Sequence, residues 1–159
     1  MVRKIVKPIL ILLLALLLLV AGYVTYVLLS YHRIEDHLEV DATGEQSDIA
    51  ETGVEYDIVS FNIGFGAYES DYSFFMDGGT ESWAWSRERL DKNLSQISRF
   101  LLEEGADFYC LQEVDRDATR SYHLDEYAYI MDVMFSEYDA AWVQNYDSPF
   151  LFYPIFQPH

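Results

Sequence analysis

Cysteine is nearly missing from this chain. Cys110 stands alone, so no disulfide can close within the chain and a small disulfide-stapled secreted module is excluded. Basic charge is also scarce where it would matter. All 27 acidic residues lie after position 34, and only Arg87, Arg89, Lys92, Arg99, Arg116 and Arg120 oppose them there. Such a surface repels polyanions, and no Lys/Arg-rich run supplies the clustered basic face that counterion release on nucleic acid requires. Internal repeats are absent. Histidine is thin as well: His32 and His37 lie just after an apolar stretch, His159 is the last residue given, and His123 alone falls inside a candidate folded region.

What is present begins with an apolar run of 21 residues, Ile9 to Leu29, led by Arg3, Lys4 and Lys7. At about 1.5 Å per residue it spans roughly 30 Å of hydrocarbon. A cleaved signal peptide is the alternative, but that needs an apolar region of roughly 7–15 residues and a small-x-small site. Tyr23, Tyr26 and Tyr31 gather at the distal end as interfacial aromatics do. The basic excess before the span predicts a single-pass anchor with the amino end cytoplasmic and the remainder extracytoplasmic. Residues 1–30 are therefore read as the anchor. Residues 31–53 follow as an acidic linker poor in large apolar residues, where no fixed fold is expected.

About 105 residues then remain, which bounds the rest to one domain. "EYDIVSFN", Glu55 to Asn62, is rich in Val, Ile, Phe and Tyr and is closed by Gly64 and Gly66, which predicts a buried strand. The glycine- and aromatic-rich stretch after it reads as a long functional rim. Leu90, Leu94, Ile97 and Leu101 share one face of a helix from about Ser86 to Glu104, stopped by Gly105. "ADFYCLQEV" gives a second buried strand, Asp107 to about Val114, with Cys110 as a small core residue. Leu124, Tyr127, Ala128, Met131, Met134, Phe135 and Tyr138 form the stripe of a second helix, and "AAWVQNY" reads as a third strand. "SPFLFYPIFQPH" reads as a connection, and Trp83, Trp85 and Trp142 as core or loop packing. Strand, loop, helix, strand in that order predicts an α/β fold with a parallel or mixed sheet.

Both strands run apolar and end in polar residues. Carboxyl ends of strands are where ligand sites form in such sheets, so Asn62 and Glu113 are expected side by side, with Gln112 and Asp115 close by. A carboxylate and an amide oxygen suit Mg²⁺, with Mn²⁺ as a substitute, because Mg²⁺ keeps several waters and takes one or two protein carboxylates. The competing reading is structural: Asn62 caps a turn and Glu113 ends a strand. Arg120, in a loop otherwise full of acids, either clamps a phosphate oxygen with its planar fork or pairs with Asp115 or Asp117. His123 is either a solvated residue at a helix start or a substrate contact.

"IVSFNIGFG" followed some fifty residues later by "ADFYCLQEVD" resembles the endonuclease/exonuclease/phosphatase superfamily of metal-dependent phosphoesterases, deoxyribonuclease- and sphingomyelinase-like. The resemblance covers about Val54 to His159, making 54–159 a partial domain of that kind. It implies the amino-terminal half of a four-layer α/β/β/α sandwich with mixed sheets. It also implies that Glu113 is a principal Mg²⁺ ligand and that Asn62 orients the phosphate or the metal. Both would then be catalytic. The superfamily's Gly-Asp-x-Asn and Ser-Asp-His stretches, which position water and complete acid–base chemistry, do not occur in these 159 residues.

The function expected from this is a membrane-anchored, Mg²⁺-dependent phosphoesterase. The chain by itself is expected to be a truncated, inactive form, and Arg120 and His123 are its candidate substrate contacts. The acidic balance favours a small phosphate ester or a lipid head group over long nucleic acid, and no protein partner can be inferred. A membrane-bound nuclease, or a non-catalytic anchored binding module, remain the alternatives.

Overall fold

The computed structural model describes residues 2–31, 33–44, 49–133, 135–148 and 150–159; His32 and Met134, named above, lie outside them. The chain forms two compact units, Met1–Leu38 with Gln144–Leu151, and Glu39–Val143 with Phe152–His159.

The first unit is built on α1, Val2–Ser30. Within it Ile5–Ser30 is 26 residues of mean hydropathy 2.8, long and apolar enough to cross a membrane, a test that a signal sequence also passes. Its leucines are exposed along the whole length, so no protein core accounts for their hydrophobicity.

The second unit is a small α/β arrangement. β1 (Ile58–Asn62) pairs in parallel with β2 (Phe108–Gln112), and Asn62 sits opposite Gln112 at the shared carboxyl end. Parallel pairing requires a crossover, and α2 (Arg87–Glu104) supplies it. Its ends match the sequence signals. Ser86 Oγ accepts the Arg89 N–H at 3.2 Å, and Gly105 closes the helix with φ 60°. Leu90, Leu94 and Leu101 are fully buried, whereas Ile97 of the same stripe is half-buried.

The loop after β1 explains the glycine pair. Gly66 has φ 62°, and a Cβ there would lie 2.5 Å from Leu90 Cδ1. Only a residue without a side chain lets that backbone lie on the core leucine. Asn93 Nδ2, buried on α2, donates to Gly66 O at 2.9 Å and fixes the contact. Phe65, between the two glycines, is fully buried at the centre of the core with Ile63, Ala84, Ile130 and Phe135.

Four expectations need correction. First, the strands are covered on one face only: Val59, Phe61, Tyr109 and Leu111 pack on the core, while Ile58 (66% exposed) and Phe108 (44%) point away. Side chains alternate along a strand, so Cys110, expected in the core, falls on the open face and is exposed. Second, "AAWVQNY" forms no strand. Ala140 makes a lone antiparallel bridge to Thr43, and Trp142 is held instead by its Nε1–H to Val114 O at 3.3 Å. That bridge also pins the acidic segment for which no fixed structure was expected. Third, α3 is short, Glu126–Val133: Leu124, Met131, Phe135 and Tyr138 of the expected stripe do pack on the core, but Phe135 and Tyr138 lie beyond the helix, and the buried positions described on it are Glu126 and Ile130. Fourth, the last segment is docked: Gln157 Oε1 accepts the Ser82 N–H at 2.7 Å, and Trp83 Nε1–H donates to Pro158 O at 3.1 Å. Among the described residues the sheet has two strands, so the architecture is mixed α/β with one small parallel sheet.

Candidate functional site

The ends of β1 and β2 meet as their sequences imply. Asn62 Nδ2 donates to Glu113 Oε1 at 2.9 Å, and Asn62 Oδ1 accepts the Gly64 N–H at 2.8 Å. Asn62 thus caps the turn, as the structural reading of it had it, and its amide nitrogen also holds the Glu113 carboxylate. The backbone continues the register past the sheet, with Ile63 N–H donating to Gln112 O and Phe65 N–H to Glu113 O, each at 3.0 Å. This stitching fixes where Glu113 stands.

Arg120 is the hub. Its Nε and Nη2 each donate to Asp115 at 2.9 Å, a two-point clasp, while Nη1 reaches Glu113 Oε2 at 3.3 Å. Its Cζ lies 4.0 Å above the centre of the Phe65 ring, a cation–π contact on a fully buried aromatic. Burial opposes the guanidinium charge, but Asp115 and then Glu113 outweigh it and raise the pKa. The pairing with Asp115 is therefore made, whereas His123 lies apart on Asp117, Nδ1 to Oδ1 at 2.5 Å, with both side chains largely in solvent.

Two residues of this neighbourhood carried no functional signal in the sequence. Glu126 is fully buried; its Oε2 accepts the Asp115 N–H at 2.9 Å, while Oε1 has no partner. Burial, reinforced by the Asp115 charge, pushes its pKa up to about 8. A glutamate at a helix start normally reads as solvated, which is why periodicity missed it. Tyr68 is the other. Its pKa is raised to about 12 by burial first, then by the charges of Asp77 and Glu113.

Backbone geometry marks the same place. Phe65, Glu113, Tyr122 and His123 all have positive φ, between 41° and 55°. Each such residue costs on the order of 1–3 kcal/mol, a strain that collects at functional sites. Three separate segments thus meet around Arg120 in a conformation that local preference disfavours.

No known protein family, curated protein or solved structure matches this chain.

Each Glu113 oxygen accepts one hydrogen bond, an ionised carboxylate has about four lone-pair sites, and the side chain is 38% exposed. Both oxygens can therefore take another partner from the solvent side. Asp115 is turned to Arg120 and Asn62 is already engaged. Among the described residues no group of three or more His, Cys, Asp or Glu gathers in a way that could hold a metal. The residues fit a hydrated cation held through one carboxylate, the habit of Mg²⁺, and not an all-protein cage.

Proposed function

We propose that this chain carries the cation- and phosphate-orienting part of a membrane-anchored phosphoesterase site, within the first half of a four-layer α/β/β/α sandwich. The observation that carries this reading is the Asn62–Glu113 hydrogen bond across the carboxyl ends of two parallel strands. Their pairing spends an amide and a carboxylate on each other at an exposed edge.

In this reading Glu113 would hold Mg²⁺ or Mn²⁺, which when bound neutralises charge building on phosphoryl oxygens. Asn62 orients the Glu113 carboxylate through its amide nitrogen. Phe65 supports the Arg120 guanidinium, which keeps a fixed positive charge beside the carboxylate. His123, held on Asp117 through Nδ1 and largely in solvent, is the second candidate substrate contact. Among the described residues nothing in this constellation is positioned to activate an attacking water, so the chain itself is expected to hydrolyse no phosphate ester. The acidic surface favours a small ester or a lipid head group as substrate, and the basic leader before Ile9 favours an extracytoplasmic domain.

The test is a version of the chain extended by a carboxyl half bearing Gly-Asp-x-Asn and Ser-Asp-His. It should hydrolyse a chromogenic phosphodiester or phosphomonoester with Mg²⁺, lose this on Glu113→Gln, and lose turnover more than substrate affinity on Asn62→Ala. Hydrolysis that persists in Glu113→Gln would remove the basis of the reading.

A further inference from the structure

The guanidinium of Arg120 is shared unequally between two acids. Asp115 takes its fork through two bonds of 2.9 Å, and Glu113 receives a single side contact at 3.3 Å. The Asp115 side chain is only 12% exposed, against 38% for Glu113. The better-buried acid therefore holds the cationic group by two bonds, and the more open acid is left with a single hydrogen bond on each oxygen. The grip is built from behind as well. Glu126 Oε2 accepts the Asp115 N–H, the Glu126 N–H donates to Asp115 O at 2.9 Å, and Arg120 O accepts the Ala84 N–H at 2.8 Å.

An arginine released from such a clasp would not stay as it is. A carboxylate and a guanidinium form their strongest pair edge to edge through two parallel N–H bonds. Glu113 is already within reach of one nitrogen, so a freed Arg120 would turn its fork onto Glu113 and occupy both oxygens. We propose that Asp115 is a positioning residue: by holding Arg120 in a two-point clasp, it keeps the Glu113 carboxylate open for a divalent cation. This rests on the functional reading above in its second half only, because the clasp itself needs no metal.

Two arms on the full chain in detergent separate the parts. In the first, arginine side chains are labelled with ¹⁵N and the Arg120 signals are assigned by Arg120→Lys. Its Nε–H should exchange slowly and its Nη groups should rotate slowly. Asp115→Asn should shift these signals as the fork moves to Glu113, and should abolish the slow exchange and rotation only when combined with Glu113→Gln; Asp115→Glu should largely restore the natural signals, whereas Glu113→Gln alone should leave them intact. Unchanged Arg120 signals in Asp115→Asn would overturn the clasp. In the second arm, Mn²⁺ binding is read by electron paramagnetic resonance. Residues that orient a metal ligand from behind are typically worth about 10–100-fold in affinity. Asp115→Asn should therefore weaken Mn²⁺ about tenfold in the natural background, and less than about threefold alongside Arg120→Gln, where no arginine can close on Glu113. Equal losses in both backgrounds would show that Asp115 acts through its own charge and would overturn the positioning role. A natural chain whose Mn²⁺ uptake is unaffected by Glu113→Gln would overturn the functional reading together with the cation half of this proposal. The arginine signals would still decide the clasp.

Discussion

Glu126 offers the sharpest physical prediction, because a fully buried carboxyl with one unpartnered oxygen must show itself in the pH dependence of stability. Its pKa is pushed from 4.5 to about 8 in the folded chain. Between those values the folded chain holds a proton that the unfolded chain has lost. Stability from this group is therefore complete below about 4.5, falls as pH rises through the window, and is constant above about 8. Each pH unit in the window costs about 1.4 kcal/mol, so raising pH from 5.5 to 8 removes about 3 kcal/mol. That is a large fraction of the ~5–15 kcal/mol of an ordinary domain, and roughly 12 °C or more in melting temperature at this size. Glu126→Gln is the perturbation. The amide keeps the shape and an oxygen for the Asp115 N–H, and it cannot ionise. The detergent-solubilised chain should be melted at intervals from pH 5.5 to 8.5 by tryptophan fluorescence, since Trp83, Trp85 and Trp142 all lie outside α1. The two proteins should melt within a few degrees of each other at pH 5.5, and the variant should gain steadily until it is the more stable by about 3 kcal/mol at pH 8. Parallel melting curves across the whole range would refute the buried neutral acid.

Other expectations follow from single features. Gly66→Ala forces a side chain onto φ 62° and against Leu90, so it should cost about 2–4 kcal/mol in a denaturant melt. Excised residues 51–159 should self-associate in sedimentation through the open sheet face, and Ile58→Lys with Phe108→Lys should reduce this, since burying each large side chain is worth ~1.5–3 kcal/mol. Expressed in a bacterium, the chain should stay in the membrane through a carbonate wash with residues beyond Leu29 open to external protease. A soluble product beginning near Gly22 would show a cleaved signal instead.

What the sequence disclosed was whatever depends on local chemistry. Helix α2 was legible to within a residue because its apolar stripe and its glycine stop are both local signals. The side-by-side placement of Asn62 and Glu113 was legible because parallel strands joined by one helix bring like ends together. The apolar content of "IVSF" and "FYCL" did not disclose that only one face would be covered, since alternation assigns residues to faces without saying what packs on each. The third strand failed for a related reason: Ala140, Trp142 and Val143 have strand-like composition, but Trp142 finds its partners in Val114 O and the Arg116 guanidinium, 5.3 Å from its ring. The site's inner layer was illegible altogether. Glu126 is polar, so hydrophobic periodicity placed it outside, and its burial depends on Asp115, eleven residues earlier. Arg120 was visible as an arginine among acids, but which acid takes its fork is decided by geometry that spacing does not carry.

The role proposed for Glu113 is that of the carboxylate through which this chain takes a divalent cation. Mn²⁺ titration of the full chain in detergent, followed by electron paramagnetic resonance, tests it against a control at Glu103, an exposed acid paired with Arg99 on α2. Glu113→Gln should weaken binding at least tenfold while Glu103→Gln leaves it within about twofold. Equal effects of the two substitutions would contradict the claim.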